Sequence, residues 1–122
     1  MARKNVLIVD DDDTMRKLLV IEFKRRGHKV FEYLDTVSAL ETIKKEKPPI
    51  DAAVIDLMQK GYGGNLGEEL RKFPEYKSTT VIYYSALTPD QFNTEILEHE
   101  NTFYVQKVRG SINELIEKIE SL

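Results

Sequence analysis

The sequence predicts an α/β fold, a five-stranded parallel sheet, doubly wound, with five helices over its two faces. Three observations predict it. Short runs rich in β-branched and aromatic residues recur five times along the 122 residues, longer stretches with helical spacing separate them, and cap and turn residues fall at the joins. Such alternation calls for a parallel sheet buried on both sides. Right-handed crossovers leave few arrangements, and the order 2-1-3-4-5 is the common one for five strands.

The first strand, Asn5–Val9, runs into Asp10, Asp11, Asp12 and Asp13. Asp12 and Asp13 lie on the way into the first helix, where capping or the macrodipole explains them. That helix stops at Arg25-Arg26-Gly27, with cations in its last turn and glycine beyond. The second strand is Lys29–Tyr33 and a second helical stretch follows it. The third strand, Ala52–Asp56, closes an apolar run with a carboxylate, which needs a partner there. The third helix, around Leu66–Lys72, is the weakest, because Gly67 sits inside it and Pro74 soon follows. After the fourth strand, Thr80–Ser85, the run Thr88-Pro89-Asp90-Gln91 announces a fourth helix. Thr88 is its N-cap, Pro89 its first helical residue, and Gln91 closes a capping box. The fifth strand, Thr102–Gln106, leads to a fifth helix whose Ile112, Leu115, Ile116 and Ile119 share one face, with Ser111 and Glu114 as its capping box.

Composition narrows the function. Hydrophobic residues at 41% and charged residues at 32% are globular, and the length fits one domain over residues 1–122. A net charge of −3 supplies no basic field for direct nucleic-acid binding. Without cysteine there is no disulfide, thiolate or Cys-based metal chemistry, and His28 and His99 are too few for a histidine cluster. The basic start is too short in apolar residues for a signal peptide, and no run approaches a membrane span. The expectation is a cytoplasmic protein.

Strand order 2-1-3-4-5 has its switch point between strands 1 and 3, and ligands bind there at the strands' carboxyl ends. Strand 1 ends at Asp10-Asp11 and strand 3 at Asp56, so carboxylates distant in sequence meet in one crevice. Ser85 ends strand 4, and Lys107 follows strand 5.

The segments VLIVDDD, AAVIDLM, VIYYSAL and FYVQK, in this order, closely resemble the receiver domain of two-component response regulators, over essentially the whole chain. The resemblance implies a flavodoxin-like fold and a phosphoryl group taken onto Asp56 from a histidine kinase or histidine phosphotransfer protein. It implies Mg²⁺ held by Asp11, Asp56 and the Met58 carbonyl, with Asp10 ligating directly or through water. Lys107 would bridge Asp56 and a phosphoryl oxygen, and Ser85 would bond another. With Ser85 and Tyr104 as the switch, the surface of helix 4, strand 5 and helix 5 would meet a downstream protein. For a full-length chain ending at Leu122 no effector domain is expected, and output is expected through protein contacts; an excised domain is the other reading. A phosphorylation-dependent homodimer is compatible with this scheme.

Two features depart from the family. Lys107 is followed by Val108 where a proline, often cis, is usual. The segment after Asp56 is rich in glycine, at Gly61, Gly63, Gly64 and Gly67, and reads as permissive and mobile; Lys60 beside it adds a cation. Met58 and Leu87, each two residues beyond a site residue, are apolar and predict a long-lived phosphoryl group. Two other readings stand beside the receiver. Asp10-x-Asp12-x-Thr14 matches the DxDxT signature of Mg²⁺ phosphohydrolases of the haloacid-dehalogenase type, with Asp10 as nucleophile. A pseudo-receiver would keep the fold as an interaction module without phosphorylation.

Overall fold

The computed structural model describes residues 3–122; Met1 and Ala2, part of the basic start considered above, lie outside them. The elements are β1 (Asn5–Val9), α1 (Asp13–Arg25), β2 (Lys29–Tyr33), α2 (Thr36–Glu46), β3 (Ala52–Ile55), α3 (Gly63–Leu70), β4 (Thr80–Ser85), β5 (Thr102–Gln106) and α4 (Ser111–Glu120). The five strands are parallel in the order β2-β1-β3-β4-β5, as the alternation predicts. Asp56 falls just past the end of β3.

Strand alternation divides the interior in two. Leu7, Val9, Ala53, Ile55, Val81 and Tyr83 face α2, α3 and Ile96. Val6, Ile8, Ala52, Val54, Ile82 and Tyr84 face Leu19, Val20 and Phe23 of α1 and Leu115, Ile116 and Ile119 of α4. The three central strands, apolar on both faces, are therefore buried throughout (apart from half-buried Asn5), which parallel pairing requires.

Helix ends follow the local chemistry in part. Asp12 caps α1, its carboxylate accepting the Thr14 and Met15 N–H groups at 3.0 and 3.2 Å. Gly27, at φ +89°, takes the chain out of α1 into β2. Ser111 does not cap α4: Gly110 is the N-cap residue, and the Ser111 hydroxyl bonds the Val108 carbonyl and Tyr84 instead.

The fourth predicted helix is absent. Among the described residues there are four α-helices, and the connection from β4 to β5 uses two 3₁₀ segments, Pro89–Gln91 and Thr94–Leu97. The Thr88/Gln91 capping box does form, but Phe92 is fully extended behind it. Asn93 then caps a new turn by accepting the Glu95 N–H at 3.0 Å. A continuous helix here would end on Glu98 and Glu100, against its own dipole, and only Ile96 of the segment is buried.

The glycine-rich segment is packed close, not loose. A Cβ on Gly63 would lie 2.0 Å from the Asp56 carbonyl oxygen, and one on Gly67 would lie 1.7 Å from the Tyr83 hydroxyl. The glycine that weakens α3 by propensity is thus required by contact. At the opposite end of the sheet from Asp56, His28 joins the residue before β1 to the last turn of α4. Its Nδ1 accepts the Lys4 N–H and its Nε2 bonds Glu120, each at 3.0 Å, while Lys4 Nζ donates to the Leu122 carbonyl at 3.1 Å. Among the described residues, no helix is long and apolar enough to cross a membrane.

Candidate functional site

The register of β1 and β3 pairs Val9 with Ile55, so Asp10 and Asp56 leave the sheet side by side, and the Asp56 N–H donates to the Val9 carbonyl at 2.9 Å. One carboxylate oxygen from each of Asp10, Asp11 and Asp56 lies within 4.8 Å of the others. Asp10 and Asp56 are buried, and Asp11 is exposed at the mouth. From the far side, β4–β5 pairing aligns Ser85 with Gln106 and delivers Lys107. Its ammonium donates to Asp10 Oδ2 at 2.7 Å and Asp56 Oδ2 at 3.0 Å. Four residues scattered from position 10 to 107 thus converge at the switch point.

Electrostatics hold the cluster in tension. Burial pushes the Asp56 carboxyl above the usual carboxylate range; Lys107 pulls it down, and the Asp10 charge pushes it up again. Burial disfavours the Lys107 ammonium, but its hydrogen bond to Asp10 and the charges of Asp10 and Asp56 outweigh that and raise its pKa. Two carboxylates therefore share one cation, and an all-oxygen donor set with one exposed member suits a hard divalent cation that keeps waters. By donor chemistry, Mg²⁺ fits the residues present.

Ser85 is fully buried, with its hydroxyl accepting the Leu87 N–H at 3.2 Å. Tyr104 donates its hydroxyl to the Leu87 carbonyl and packs on Phe92 with ring centroids 5.5 Å apart. Met58 is 61% exposed, and its N–H donates to Asp56 Oδ1 at 3.2 Å. The Lys107–Val108 bond is trans, as no cis bond occurs among the described residues. The charge of Lys60 acts on Asp35, not on Asp56. Asp12 caps α1 through its Oδ1, and Asp13 pairs with Arg16.

Three residues escape a reading by strand ends. Arg16, buried in α1, donates to the Asp10 carbonyl at 3.0 Å and so fixes the end of β1. Gln59 and Thr36 join the loop after Asp56 to α2. Arg16 is legible only as a charge inside an apolar helix face; Gln59 and Thr36 carry no sequence signal.

A family model described as the response regulator receiver domain matches residues 6–120. Among solved structures, the receiver domain of the Francisella response regulator 1452 is 30% identical, with a TM-score of 0.81, covering 98% of this chain and 95% of that one. The chemotaxis response regulator CheY4 of Vibrio cholerae has 19% identity and a TM-score of 0.81, covering 97% of this chain and 99% of its own. The Thermotoga maritima response regulator TrrA, solved in complex with Mg²⁺-BeF, has 24% identity and a TM-score of 0.78, covering 97% of each chain. No curated protein matches.

Proposed function

The chain belongs to the response regulator receiver domain family, and on that premise we propose that Asp56 accepts a phosphoryl group from a phosphohistidine donor. The donor is a histidine kinase or histidine phosphotransfer protein, and a downstream protein reads the result. We take the chain to act in the cytoplasm and to catalyse nothing beyond gain and loss of its own phosphoryl group. One observation carries this reading: Asp10, Asp11 and Asp56 converge with Lys107 bonded across two of them.

An Asp56 carboxylate oxygen forms the new P–O bond while the donor's P–N bond breaks, the electron pair leaving with the imidazole. Asp11, Asp56 and the Met58 carbonyl would hold Mg²⁺, with Asp10 ligating directly or through water. When bound, Mg²⁺ neutralises charge on the transferring oxygens. Lys107 lies within hydrogen-bond reach of Asp56 and can transfer a bond to a phosphoryl oxygen. Ser85 turns its hydroxyl to another such oxygen and gives up Leu87. Tyr104, bonded to the same Leu87, responds. The surface that changes comprises the two 3₁₀ segments, β5 and α4, since among the described residues those segments stand where the sequence predicts an α-helix between β4 and β5.

Acetyl phosphate with Mg²⁺ should add one phosphoryl group by intact mass, lost in Asp56→Asn and in Asp11→Ala but kept in Asp13→Ala. An unlabelled wild type would instead favour a pseudo-receiver. Phosphate-monoester turnover that survives Asp56→Asn would revive the DxDxT alternative. Decay of the phosphoryl group should be slow, and faster in Met58→Asn or Leu87→Glu.

A further inference from the structure

We infer that Gln59 is a positioning residue for the phosphoacceptor: its carboxamide ties the Asp56 main chain to the first residue of α2. The inference rests on the function proposed above. Gln59 Nε2 donates to the Asp56 carbonyl at 3.2 Å, and its Oε1 accepts the Thr36 N–H. One side chain therefore satisfies a carbonyl at the end of β3 and an N–H at the start of a helix.

The tie is reinforced around it. The Thr36 N–H is shared with the Lys60 carbonyl at 3.2 Å, and the Thr36 hydroxyl donates to the Tyr62 carbonyl at 3.2 Å. Thr36 is itself buried, and Gly61 lies against it so closely that a Cβ there would sit 3.1 Å from Thr36 Cβ. Tyr62, at φ +56°, stays in the left-handed region within this clamp. Residues 56–62 are thereby held on α2 as well as on β3. Between Asp56 and Gln59 in the chain lies Met58, whose N–H donates to Asp56 Oδ1 and whose carbonyl is the proposed main-chain metal ligand. Partners bonded directly to a ligand change metal affinity about 10–100-fold when removed, and Gln59, which acts through the main chain beside the ligands, is expected at the low end.

Two variants separate the halves of the tie. Gln59→Met removes both bonds, whereas Gln59→Glu can accept from Thr36 but cannot donate to the Asp56 carbonyl. The measurements are the Mg²⁺ dissociation constant by calorimetry with the metal alone, and amide hydrogen exchange of Met58 without metal. Uptake from acetyl phosphate at saturating Mg²⁺ is the third. In both variants, Mg²⁺ affinity should fall about tenfold, Met58 exchange should accelerate about tenfold and uptake should slow, while the fold survives. Gln59→Glu matching the wild type would reduce Gln59 to a cap of α2 and overturn the inference, as would unchanged exchange in Gln59→Met. Failure of the proposed function is distinguishable, because it appears as an unlabelled wild type, whereas this inference is judged on wild type against variant.

Discussion

The connections from β3 to β4 and from β4 to β5 leave the sheet next to each other, yet they are built by opposite means. The first, through α3, is fixed by close approach: Gly63 lies on the Asp56 carbonyl, Gly67 on the Tyr83 hydroxyl, and Leu66 and Leu70 are buried. The second has one buried apolar anchor, Ile96, and is fastened chiefly by polar groups. Arg71 reaches it from the end of α3, donating to the carbonyls of Glu100 and Asn101 at 2.9 and 3.1 Å and to the Thr102 hydroxyl at 2.8 Å. Close packing thus stands beside Asp56 and polar fastening beside Ser85. The two sides of the site are held by different physics.

The largest expected effect tests the packed side. Gly67→Ala should cost roughly 3 kcal/mol by urea denaturation, because Tyr83 cannot retreat from a filled interior. Glu98→Ala in the other connection should stay within about 0.5 kcal/mol; equal losses would erase the contrast. Arg71→Met should cost about 2 kcal/mol and speed amide exchange across residues 94–102, leaving α3 protected. Exchange rising in α3 as well would make the two connections one unit.

The site between them should titrate. Asp56 has a raised folded pKa, so its contribution is favourable when protonated and is lost as pH rises through that value. In metal-free buffer at pH 7, Asp56→Asn should therefore melt higher than the wild type, with the gain vanishing in acid. A variant that melts lower at pH 7 would mean that Lys107 outweighs burial. The smallest effect concerns the missing helix. Replacing Asn93 and Thr94 by alanine should change stability by less than about 1 kcal/mol and add no helical dichroism, because the segment lacks an apolar stripe. A gain of two helical turns would show that Asn93 and Thr94 together block the helix.

These contrasts explain what could be read in advance. Strand–helix alternation and the apolar faces carry the sheet order, and the order alone brings Asp10, Asp11 and Asp56 to one crevice. The same local rules overreach at Thr88-Pro89, where the capping box forms but no buried face follows to extend it. They misjudge Gly67, whose reason is a tyrosine hydroxyl sixteen residues away in sequence. Ser111 looks like a cap, yet its hydroxyl answers to Val108 and Tyr84. Gln59 is silent, since its role exists only once Asp56 and Thr36 are adjacent. Local chemistry announces where elements begin; contacts across the fold decide whether they continue.

The His28 clasp at the far pole has a topological consequence. Because the Lys4 side chain reaches the Leu122 carbonyl, positions 4 and 122 lie within one lysine's length of each other, and a short peptide could join them into a ring without crossing the crevice. Reopening that ring at Phe92, the extended residue between the two 3₁₀ segments, would cut no β-ladder. The order of the elements along the chain would change while their arrangement in space stayed the same.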